Sequence, residues 1–128
     1  MRIVLHTIFC LLGVLPLKAQ QADAILGDWL TENNEARVHI YVENGKYYGK
    51  ITTVKDGKES AKINTLVLSD FVYNSKDKEW NNGTVHDPRH GHKASGYLVL
   101  KNSNTLKVVG YKALRWISDS EIWVRADQ

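Results

Sequence analysis

The chain has 128 residues, 17 Lys and Arg against 14 Asp and Glu, one Cys, two Pro and a hydrophobic share of 43%. This describes one ordinary folded domain. It is too short for two sizeable cores, too rich in Trp and Tyr for a disordered chain, and without the period of a collagen or a coiled coil.

Residues 1–19 have the layout of a secretory signal: Arg2, an almost unbroken apolar stretch from Ile3 to Leu17, the helix breaker Pro16, and the small residue Ala19. His6 and Thr7 interrupt the stretch, and a spanning helix needs ~20 apolar residues. A cleaved signal is therefore predicted rather than an anchor, with the cut after Ala19 and a site after Ala24 as the alternative. The bulky Ile8 and Phe9 before Cys10 speak against a lipid-anchored cysteine. This leaves one domain over residues 20–128, exported to the periplasm or secreted, with no membrane span once the signal is gone. Arg2 and Lys18 leave with the signal, so the mature chain keeps 15 basic and 14 acidic residues, a net charge of +1. Such a balance lacks the basic excess of a nucleic-acid binder. Cys10 leaves too, so neither a disulfide nor a thiol nucleophile remains.

A short helical turn is predicted over residues 21–26, opened by Asp23 and ended by Gly27. Beyond it the pattern has period two. Trp29 to Thr31 forms a first strand. Val38, Ile40 and Val42 alternate with Arg37, His39, Tyr41 and Glu43; Asn44-Gly45 then makes a tight hairpin turn into Lys46 to Val54. Further strands are predicted at Thr65 to Tyr73, Glu79 to Val85, Lys93 to Lys101 and Thr105 to Lys112. Two short ones, Arg115 to Ile117 and Glu121 to Arg125, flank a turn at Ser118-Asp119-Ser120. The polar run Asp56 to Lys62 reads as a loop. About eight antiparallel strands in sequence either close on themselves or leave two free edges. An all-β, up-and-down barrel with a short N-terminal helical turn is thus expected over a sandwich, with Gly49, Gly83, Gly96 and Gly110 supplying the bends that closure needs.

Gly27-Asp28-Trp29 at the first strand resembles the Gly-x-Trp signature of lipocalins and related calycin barrels. In those barrels the Trp packs under a basic residue of the last strand, and the resemblance assigns that part to Arg125, so that Gly27, Trp29 and Arg125 form a structural plug. Physically, a guanidinium within ~6 Å of an indole face gains ~0.5–2 kcal/mol. A second resemblance spans most of the mature chain. Ala24-Ile25-Leu26-Gly27 with Trp29-Leu30-Thr31-Glu32, Ala36-Arg37-Val38, Asn44 to Ile51, Gly83-Thr84-Val85 with Asp87-Pro88, and Asn104 to Val108 with Gly110-Tyr111 are similar to the exported bacterial domain of unknown function 2147. That resemblance implies a small lipocalin-like barrel and no catalytic residues. The chain departs from the family pattern in its short, charged Lys55 to Asn64 segment and in having His86 before Asp-Pro and His92, Lys93 and Ala94 after it.

His86, His90 and His92 beside Asp87 are the most chemically suggestive cluster, since imidazoles and a carboxylate so close in sequence are a weak candidate zinc site. No nucleophile elbow, phosphate loop or distinct carboxylate pair stands out, so no enzyme and no cofactor is expected. The expected role is the binding of a small apolar molecule inside the barrel. The apolar alternate sets Val38, Ile40, Val42, Leu66, Leu68, Val99, Ile122 and Val124 are the natural lining. Tyr41, Tyr48, Trp80, Tyr97, Tyr111 and Trp123 fall on the opposite sets. The alternative is a filled barrel serving as a protein-interaction or envelope module.

Overall fold

In a computed structural model, described over residues 17–111 and 118–126, eight antiparallel strands form one closed barrel. The residues carrying most of the signal segment, and the strand expected at Arg115 to Ile117, lie outside the described residues. Helix α1 (Leu17–Ala22) runs into a single 3-10 turn (Asp23–Ile25), so the chain is already helical ahead of the expected start at Gln21. The strands follow as β1 (Gly27–Leu30), β2 (Ala36–Glu43), β3 (Lys46–Val54), β4 (Leu66–Asn74), β5 (Glu79–Asp87), β6 (His92–Asn102), β7 (Thr105–Tyr111) and β8 (Ser118–Arg125). Each pairs with the next. β8 returns to β1 through Trp29 opposite Arg125 and Leu30 opposite Val124, which removes both sheet edges.

The local chemistry explains the connections. Asn44 and Gly45 both take positive φ, 52° and 78°, the backbone that a two-residue hairpin matched to the strand twist demands. In the Asp56 to Lys62 run, the Asp56 carboxylate accepts a bond from Lys58 N, and a 3-10 helix (Gly57–Lys62) forms where a plain loop is expected. Ser118-Asp119-Ser120 is no turn: these residues open β8 and pair with Tyr111, Gly110 and Val109. Their polarity reflects exposure at the barrel rim rather than a reversal of the chain.

The interior is divided. Trp29, Phe71, Ile25, Ile40, Leu68, Leu98 and Leu106 are almost fully shielded from water and fill one end. Space for this packing comes from the inner-face glycines. A Cβ on Gly83 would lie 2.4–2.5 Å from ring atoms of Phe71, and one on Gly96 would lie 2.5 Å from Val85 Cγ2. Neither residue takes a positive φ. Their role is therefore room for neighbouring side chains, not the backbone bending expected from the sequence. Gly83→Ala should destabilise the barrel by about 1–3 kcal/mol through overpacking. In urea unfolding, the Gly83→Ala/Phe71→Leu pair should recover part of that loss, as residues in direct contact do not act additively.

Candidate ligand-binding site

The filled end is closed by the segment that precedes β1. Arg125 lies with its guanidinium carbon 4.2 Å from the centre of the Trp29 ring. Its NH1 donates to Leu26 O at 2.9 Å, its NH2 to Ala24 O at 2.8 Å and its Nε to Ser103 O at 2.9 Å. Trp29 Nε1 donates to Ile25 O and Trp80 Nε1 to Ala22 O. The Tyr47 hydroxyl donates to Asp23 at 2.6 Å, and burial together with that carboxylate pushes the phenol well above its ordinary pKa. Gly27 holds a φ of 118° directly beneath Arg125; a Cβ there would lie 3.2 Å from NH1. The structure thus brings Gly27, Trp29 and Arg125 together at the floor.

Above the floor the barrel is hollow, with a cavity of about 1100 Å³ open at the other end. This lies just above the ~300–1,000 Å³ range of small-molecule sites. Its wall is built from short side chains: Val38, Ile51, Val67, Val85, Ala94 and Val108, with Gly110 leaving further space. Trp123 completes the wall, its Nε1 donating to Glu121 Oε1 at 2.9 Å two residues earlier on the same inward face. Glu121 also accepts from Glu32 N at 3.3 Å, joining β8 to the β1–β2 loop.

The structure divides the sequence-predicted lining. Val38 lines the cavity, while Ile40 and Leu68 are buried in the filled half below it. Val42 pairs with Tyr47 on the hairpin, beyond the floor, and is 40% exposed. Leu66 stands opposite the partly exposed Lys50 and is itself exposed, because a register shift in the β3–β4 pairing turns it outward and Val67 inward. Val99, Ile122 and Val124 also belong to the outer face, alternating with the buried Leu98 and Trp123. The correction for β8 has a simple cause. Trp123 carries more apolar surface than either aliphatic neighbour, and its N–H finds an inward acceptor in Glu121.

The three histidines do not converge. His86 Nδ1 lies 3.2 Å from Leu66 O, His90 Nδ1 lies 2.9 Å from Asp87 Oδ2, and the His92 ring is tilted against that of His90 with centroids 5.9 Å apart. Among the described residues no group of three or more His, Cys, Asp or Glu is placed to hold a metal. Asp87 is committed elsewhere: its Oδ1 accepts from Arg89 N at 3.0 Å and from Arg89 Nε at 3.3 Å. Arg89 in turn reaches Glu35 Oε2 with NH1 at 2.9 Å. Sequence reasoning did not single out Arg89, Glu35 or Glu121. The only available signal was the Glu121-x-Trp123 spacing, which puts both on one face of a strand.

Eight antiparallel strands in simple succession, closed around a cup with one stopped end, define a lipocalin-like barrel. Residues 27–125 match the model of a family described as an uncharacterized protein conserved in bacteria, domain of unknown function 2147, and the chain belongs to that family. Among solved structures it is similar to protein HP1028 of Helicobacter pylori, described as belonging to the lipocalin family. Identity is 18%, with 81% of this chain and 84% of that chain covered, and the TM-score is 0.64. At that identity the likeness speaks for the fold. No curated protein matches the chain.

The rim also fixes a pH response. Partial burial raises the Asp87 pKa, but His90 and the backbone and side-chain N–H groups of Arg89 outweigh it and hold the carboxyl down to about 2, from an ordinary value of 3.8. A depressed acid stabilises the fold above its unfolded pKa, and the contribution is lost as pH falls through the folded value. Order in the β5–β6 turn should therefore decline between about pH 4 and pH 2. Because the pair is partly exposed, the effect on global stability should stay below ~1 kcal/mol. Asp87→Asn should abolish this acid step when amide exchange at residues 86–92 is followed against pH.

Proposed function

We propose that this protein is an exported, non-enzymatic binding protein that holds a small apolar molecule in the open half of its barrel. The single observation carrying this reading is the open cavity of about 1100 Å³, whose inner wall is made of small aliphatic residues beneath a charged rim. Along its inner wall the cavity forgoes contacts that larger residues at Val38, Ala94 or Gly110 would supply. Occupancy by an apolar ligand restores them. The hollow half favours this reading over a filled barrel acting only as an interaction module. Zinc binding draws no support from the spread histidines. The lipocalin family to which HP1028 is assigned adds weight to a role in binding.

Export through a signal at residues 1–19 belongs to the same proposal, with the mature domain starting at Gln20. No helix among the described residues is long and apolar enough to cross a membrane. The floor favours cleavage after Ala19 over cleavage after Ala24. Ala22 O, Asp23 and Ala24 O accept bonds from Trp80, Tyr47 and Arg125, and all three acceptors would be lost with the later cut.

Two measurements test these readings. Saturating binding of a fatty acid or an environment-sensitive apolar dye should change Trp fluorescence and raise the melting temperature, by mass action worth ~2.7 kcal/mol at 100 times Kd. Ala94→Trp, which fills the cavity from its wall, should remove binding by at least tenfold while leaving the fold intact; equal binding by this variant would place the ligand elsewhere. Separately, intact mass of the protein exported by a bacterial host should correspond to a chain beginning at Gln20. A version beginning at Ile25 should lose about 2–5 kcal/mol in urea unfolding, because Trp80, Tyr47 and Arg125 each lose a partner.

A further inference from the structure

The β1–β2 and β5–β6 loops lie at the same, open end of the barrel. Since the strands close in the order β1 to β8, these loops stand half a turn apart around the opening. Glu35 comes from one and Arg89 from the other, so their 2.9 Å ion pair spans the mouth above the apolar wall. Arg89 is held from its own side. Asp87 takes its backbone N–H and its Nε, and the second Asp87 oxygen is fixed by His90 at 2.9 Å. One carboxylate thus orients the guanidinium, and NH1 is presented to a second carboxylate arriving from across the opening.

Such a pair is either a lock or a placeholder, and its exposure decides between them. The Arg89 and Glu35 side chains are 49% and 52% exposed. Water screens an ion pair in that setting too strongly for it to hold two loops shut. Exchange is another matter, because the half-exposed Glu35 can turn into solvent and leave the same charge-assisted N–H donor to an incoming carboxylate. We infer that Arg89 is the anchor for the negatively charged head of the ligand, and that Glu35 fills that position when the barrel is empty. The ligand class is then an amphiphile with one carboxylate and an apolar chain, of which a fatty acid is the simplest.

The surroundings narrow the position of the head. Of the cations lining the cavity, Lys62 is paired with Glu59 and Lys55 stands on the β3–β4 side, whereas Arg89 is oriented over the opening by Asp87 on its own side. This inference rests on the proposed binding role and goes beyond it by assigning the chemistry of the head.

The test uses three probes with the same twelve-carbon chain, dodecanoate, dodecanol and dodecyltrimethylammonium, titrated below micelle-forming concentrations and read by calorimetry. Dodecanoate should bind the purified protein about 3- to 10-fold more tightly than the other two, the scale of one screened charge-assisted contact. Arg89→Gln should erase that preference while leaving dodecanol binding unchanged, and Glu35→Gln should strengthen dodecanoate binding several-fold. Both positions are exposed, and unchanged melting temperatures of the empty variants serve as the folding control. If the preference survives Arg89→Gln, or the cationic probe binds best, the anchor is overturned and the cavity reading stands. If none of the three binds, both are overturned.

Discussion

Closure of the sheet depends on Arg125. The seam between β1 and β8 is the thinnest in the barrel, with two residue pairs against eight between β2 and β3. Ladder bonds alone would leave it the first place to open. Arg125 reinforces it in three directions: its backbone N–H donates to Asn104 O, its guanidinium lies over Trp29, and three of its N–H donors reach carbonyls at Ala24, Leu26 and Ser103. Those carbonyls belong to the segment before β1 and to the β6–β7 turn. One side chain thereby joins both chain ends to the barrel floor. A chain without cysteine in its folded domain has no covalent substitute for this contact.

Once the floor is secured, the interior can serve two purposes. Large rings and branched chains fill the lower half, helped by Gly83, which leaves room for Phe71, while Gly96 leaves room for Val85 at the cavity wall. The upper half repeats small residues on successive strands, from Val38 through Ala94 to Gly110, and stays open. Stability and binding capacity are therefore assigned to different layers of the same barrel. The rim adds a third layer, in which charged residues from loops distant in sequence meet over the opening.

How far this was legible from the chain varies by layer. Period-two alternation and Asn44-Gly45 fix the strands and the first hairpin, since side chains on a strand alternate faces whatever the tertiary fold. The Gly27-Asp28-Trp29 element pointed to the floor. The lining was read less well. Val38, Ile40 and Leu68 face inward, whereas Ile122, Val124, Val99 and Leu66 face out. On β8 hydrophobicity points to Ile122 and Val124, whereas the set carrying Glu121 and Trp123 between charged neighbours faces inward. On β4 a register shift breaks the period that the reading relies on.

The sequence by itself determined most of the strands and their antiparallel succession, because those follow from local backbone preference and short-range alternation. The residues that stop one end were reached through the resemblance to the Gly-x-Trp signature. Only the tertiary structure decided which face of β8 looks inward, how much of the interior stays empty, and that Glu35 and Arg89 meet. The physical reason is that each of these depends on distances across the barrel, set by closure and by competition among side chains for one enclosed volume. No pattern along the chain records that competition.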